Sequence, residues 1–80
     1  MKFIKKIPHI EVDISLYEWN QKFIVKFELN GLEQTYKVSQ LDIDTKEEVE
    51  AALTPAFVGH VVGLFQDMQD EWDNALGMTL

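Results

Sequence analysis

Phe23-Ile-Val-Lys-Phe-Glu-Leu-Asn-Gly-Leu-Glu-Gln-Thr-Tyr-Lys-Val38 is the sequence of a β-hairpin, and the rest of the chain can be read outward from it. Phe23, Val25, Phe27 and Leu29 fall on alternate positions with Ile24, Lys26 and Glu28 between them, the period of a strand with one buried face. Asn30-Gly31 follows, two residues that tolerate the positive φ of a type I′ turn. Leu32 to Val38 then returns as the next strand.

Upstream, Ile10, Val12, Ile14 and Leu16 alternate with Glu11, Asp13 and Ser15, which predicts another strand, and Asn20-Gln21 is its connection to Phe23. The register can be tested on the sequence itself. With two-residue loops at both turns, Leu16 faces Val25, Ile14 faces Phe27, Val12 faces Leu29, Val25 faces Tyr36 and Phe23 faces Val38, so every apolar position falls on one face. The same register sets Asp13 opposite Glu28 and Glu28 near Glu33, mildly repulsive pairs that Lys26 and Lys37 partly offset.

Thr45-Lys-Glu-Glu48 has the form of a capping box, in which the threonine hydroxyl and the glutamate carboxylate satisfy free amides at a helix start, and it predicts a short helix to about Leu53. Thr54-Pro55 opens a second helix, with proline where its missing amide hydrogen costs nothing. That helix should run to about Leu76 and stop at Gly77. At 100° per residue, Phe57, Val58, Val61, Val62, Leu64, Phe65, Met68, Trp72, Ala75 and Leu76 form one broad apolar face. The expected fold is therefore α+β: a three-stranded antiparallel meander covered on one face by a C-terminal helix preceded by a short helix (βββαα), in a single domain over residues 1–80.

Charge is unevenly spread. Residues 1–41 hold six lysines and five acids, whereas residues 42–80 hold nine acids and only Lys46, so most of the net charge of -7 lies in the second half. No arginine is present. Phosphate groups and nucleic-acid backbones are gripped by clustered Arg and Lys, so direct nucleic-acid binding is not expected. The chain has no cysteine, which removes disulfides, thiolate metal sites and cysteine nucleophiles and fits a reducing cytoplasm. The start, Met1 to Pro8, carries positive charge but lacks the apolar stretch and small-residue cleavage site of a signal peptide, and no run has the length of a membrane span. A cytoplasmic protein without membrane contact is expected.

Three surfaces are left without a structural role. Tyr17, Trp19 and Ile24 share the sheet face turned away from the helix, and Trp and Tyr are enriched at interface hot spots; within the chain, the large amphipathic side chains of this face, or Phe3 and Ile4 of the N-terminal segment folding over it, are the candidates to shelter the sheet. Gly59 and Gly63 lie on the outer side of the main helix, where each costs about 1 kcal/mol relative to alanine. A helix that starts late, a kink, or room for the short helix accounts for them within the chain; a notch for a partner's backbone, as in a two-fold dimer, accounts for them between chains. Asp67, Asp70 and Glu71, with Asp73, crowd the negative end of the helix dipole, which marks either a solvated face or a surface for a basic partner. Folding back of Lys2, Lys5 and Lys6 would neutralise it.

Catalytic chemistry finds no foothold. His9 and His60 belong to no metal-binding pattern, and His60 and Asp67 are too far apart along one helix to share an ion. Ser15 lies mid-strand and Ser39 lacks a glycine elbow or neighbouring base. A thin sheet under one helix should leave no room for a deep pocket of ~300 Å³. The sequence thus leads to a non-enzymatic module that uses no metal or cofactor and binds another protein or itself as a homodimer. The alternative is an acidic regulator that occupies the basic site of a nucleic-acid-binding protein.

Overall fold

The computed structural model describes residues 1–78, and it has one strand more than the sequence predicts. Its elements are β1 (Lys2–Ile7), β2 (Asp13–Trp19), β3 (Lys22–Leu29), β4 (Leu32–Ser39), α1 (Lys46–Ala52) and α2 (Pro55–Ala75). The four strands form one antiparallel sheet in the order β1-β2-β3-β4. The three expected strands and two expected helices are present; the N-terminal segment, expected to fold over the outer sheet face or back onto the acidic helix end, adds the fourth strand along β2. Its lysines at positions 2, 5 and 6 obscure the alternation, and a bulge between Phe3 and Lys5 breaks the period of two that would have revealed it.

The hairpin register matches the sequence reading residue for residue at Ile14–Phe27, Leu16–Val25, Val25–Tyr36 and Phe23–Val38. Both connections are type I′ in character, with positive φ at Asn20 and Gln21 (53° and 60°) and at Asn30 and Gly31 (51° and 79°). The acidic pairs Asp13–Glu28 and Glu28–Glu33 stand opposite each other as the register requires. One end differs. Ile10 and Val12 lie before β2, and Ile10 is 98% exposed, because the chain bends through residues 10–12 to bring β1 alongside.

The helix signals are realised with one change. Thr45 caps α1 by accepting the Glu48 amide at 3.2 Å, but the Glu48 carboxylate accepts from the Thr45 hydroxyl rather than from its amide. Thr54 caps α2 by accepting the Phe57 amide, with Pro55 in the first turn. At the other end Gly77 is left-handed (φ 71°), its amide reaches the Asn74 carbonyl and the Met78 amide reaches that of Asp73, a pairing that closes the last turn.

The core lies between the sheet and the helices. Ile14, Leu16, Val25 and Phe27 from the sheet meet Val49 of α1 and Val58, Val61 and Phe65 of α2. Phe27, Tyr36 and Phe57 make a three-way edge-to-face cluster with centroids 5.5–6.1 Å apart. Gln34 of β4 ties the layers together by donating to the Val61 carbonyl at 2.9 Å, and the Tyr36 hydroxyl donates back to Gln34 at 2.6 Å.

The face of α2 that touches the sheet is shorter than its apolar pattern. Val62, Phe65, Gln66 and Gln69 border the β3–β4 turn at Leu29 to Leu32, and beyond them no apolar residue of α2 belongs to or packs against the core cluster. Leu64, Trp72 and Leu76, assigned by periodicity to the covering face, are about half exposed. The molecule measures 47 × 25 × 19 Å with a radius of gyration of 14.3 Å, whereas a compact chain of this length has about 11.6 Å.

Candidate functional site

The sequence-predicted residues fall on two opposite sides of the molecule and cannot form one site. Tyr17, Trp19 and Ile24 are on the sheet face away from the helices, where Tyr17 stands opposite Ile24 and Ile24 opposite Lys37. Gly59, Gly63, Asp67, Asp70 and Glu71 are on the solvent side of α2, all exposed.

The outer sheet face is partly sealed by the chain itself. Ile24 is 2% exposed, because its same-face neighbours Tyr17, Trp19, Lys22, Lys26 and Lys37 all carry long side chains. Phe3 of β1 packs edge-on against Tyr17 (5.6 Å), and Lys26 holds its ammonium 5.5 Å from the same ring. Ile4, expected to help cover this face, packs on the core side instead. What remains accessible is Trp19, 53% exposed, with Phe3 and Met1. Met1, Trp19 and Ile24 line a depression of about 510 Å³ that continues to Glu33, Thr35 and Lys37 on β4.

An added Cβ at Gly59 or Gly63 would meet nothing within 4 Å. Neither glycine therefore makes room for α1 or for the sheet, and both have helical rather than left-handed φ. Of the three readings of this pair within the chain, the late helix start is overturned because α2 begins at Pro55, and the packing one is set aside by the geometry.

The acidic cluster is not neutralised by the N-terminal lysines. Lys5 pairs with Glu50 of α1 at 3.2 Å, the sole ion pair among the described residues. Asp70 and Asp73 instead accept from Gln66 and Gln69 one turn earlier, at 3.0 and 2.9 Å. α2 has no basic residue in its last turn.

Part of the apolar pattern that sequence reasoning placed in the core is exposed. Met68, Trp72 and Leu76 follow Val61 and Phe65 on one side of α2, but Trp72 (53% exposed), Leu76 and the following Met78 are left half or more exposed. Asp67, Asp70, Glu71 and Asp73 flank this stripe. Periodicity identifies an apolar face but not where the sheet beneath it ends.

Other depressions are present in volumes the sequence reading did not expect. One of about 370 Å³ runs between the β1–β2 loop and the β3–β4 turn, and one of about 410 Å³ lies between β1 and the start of α1. The first is lined largely by exposed groups such as Glu11, Asp13, Glu28 and Glu33. His9 there accepts the Glu11 amide at 3.1 Å, and His60 stands exposed on α2. Among the described residues no three metal-ligating side chains gather. Among the described residues no single helix is long and apolar enough to cross a membrane, and α1 and α2 meet at a 68° bend.

Comparison with protein-family models, with curated proteins and with solved structures finds no match to this chain.

Proposed function

We propose that this protein is a small, non-catalytic protein-interaction module of the cytoplasm, and that the overhanging end of α2 is its principal docking element. The observation that carries the reading is the continuation of the core-facing stripe past the sheet into Trp72, Leu76 and Met78. An amphipathic helix end of this kind lays its apolar side into a hydrophobic groove, with anchors spaced by turns of the helix. Trp72 is the expected anchor, and the acids on its flanks favour a groove with a basic rim. The same acids disfavour an anionic lipid surface. Trp19 with Phe3 is a secondary contact on the opposite side, and the open Gly59–Gly63 stripe lets another chain's backbone approach α2 closely.

A second reading, an acidic regulator that covers the basic site of a nucleic-acid-binding protein, is favoured by the exposed carboxylates of Asp67, Asp70 and Glu71, which join no ion pair among the described residues. Affinity capture separates the two. Loss of the captured protein with Trp72→Ser/Leu76→Ser, and retention at high salt, is expected for the docking helix. Loss with Asp67→Asn/Asp70→Asn/Glu71→Gln and steep weakening by salt would instead support the regulator. Capture indifferent to both variants removes α2 as the site.

A further inference from the structure

β4 is an open sheet edge with a self-complementary sequence. A two-residue turn makes its closing pair, Leu29 and Leu32, exchange both main-chain hydrogen bonds, so Gln34, Tyr36 and Val38 bond inward to β3 while Glu33, Thr35 and Lys37 direct their amides and carbonyls outward. Those three residues are exposed, and among the described residues β3 is the one strand beside β4. The opposite edge is guarded: β1 carries a bulge and Lys2, Lys5 and Lys6, devices that discourage strand addition. β4 has eight regular residues with no bulge and no proline.

We propose that β4 pairs antiparallel with β4 of a second copy of this chain, about a two-fold axis at Thr35, joining two four-stranded sheets into one. In that register Thr35 meets the partner's Thr35, Glu33 meets the partner's Lys37, and Lys37 meets the partner's Glu33. Opposite charges directly across a ladder stabilise it and like charges oppose it. Moving the register by two residues loses both charge pairs, and moving it by four sets Glu33 or Lys37 against itself. On the helix side Gln34 meets the partner's Tyr36, and Val38 meets the partner's Leu32.

An apolar slot supports the same occupant. About 210 Å³ opens between the β4 edge and the helices, lined by Tyr36, Val38, Val49, Leu53 and Phe57. The partner's Leu32, beside Val38, stands at its mouth. Main-chain bonds then supply attachment while the slot selects an alternate side chain, the usual division of labour in strand addition.

The inference rests on the reading of the chain as an interaction module, but not on the α2 overhang. Light scattering of the wild-type chain is expected to give twice the 9.3 kDa chain mass. Thr35→Pro removes an outward amide without touching a β3 bond, and should give a monomer with an unchanged circular dichroism spectrum. Glu33→Lys and Lys37→Glu should each weaken self-association on the order of tenfold. Mixed in equal amounts, those two variants should form a heterodimer, and the double variant should dimerise again. This charge exchange decides the matter even where Thr35→Pro does not fold. A wild-type chain that stays monomeric at millimolar concentration overturns the seam, as does a dimer indifferent to the proline and the charge reversals. A monomer that still captures a protein through Trp72 sinks the seam alone; a β4 dimer with no such capture sinks the overhang alone.

Discussion

Trp19 and Ile24 share one face of the sheet, yet one is half exposed and the other 2% exposed, although no helix covers that face. The difference comes from position along the strand. Ile24 lies within the inner strand β3, with long side chains on both neighbouring strands, whereas Trp19 ends the other inner strand, β2, where the ladder stops. Ile24→Ser should therefore cost about 3 kcal/mol through lost burial and a hydroxyl set among apolar groups. Trp19→Ser should change stability by less than about 1 kcal/mol. Urea unfolding of the two variants measures both, and equal losses would contradict the burial difference. Strand alternation made both residues legible as outer-face positions. It could not rank their exposure, because that depends on neighbours brought in by the adjacent strands.

At the scale of the element, α2 combines strong start and stop signals with an interior that is weak by propensity. Thr54, Pro55 and Gly77 were readable from the sequence because caps act on backbone groups within a turn of themselves. Gly59 and Gly63 lower helix stability, and the space around them is empty. Gly63→Ala is accordingly expected to raise the midpoint of thermal unfolding, by about 1 kcal/mol in stability. A destabilised variant would mean that the glycine relieves a close approach in solution. Where the same substitution stabilises the fold and weakens self-association or capture, the notch belongs to a partner. The strand that eluded the sequence reading, β1, has the opposite character: its lysines and bulge hide its pairing with β2 from a period-two test.

For the whole molecule, charge and shape are both one-sided. Lys22, Lys26 and Lys37 lie on the outer sheet face, while Asp67, Asp70, Glu71 and Asp73 lie along the projecting end of α2. With a net charge of -7 and one exposed ion pair among the described residues, repulsion outweighs attraction. Added salt should stabilise the fold, raising the unfolding temperature by about 3 °C between low salt and 0.3 M. A fall instead would mean that attraction between the basic and acidic sides dominates. Local sequence determined the hairpins, their register and turns, the helix caps and the apolar side of α2, since each depends on groups a few residues apart or on a strict period. The tertiary structure alone decided that β1 joins the sheet, that Ile24 is sealed and Trp72 is not, and that β4 remains an open edge. Those outcomes depend on which distant segment lies alongside and where the sheet ends, and neither is encoded in the period of any one element.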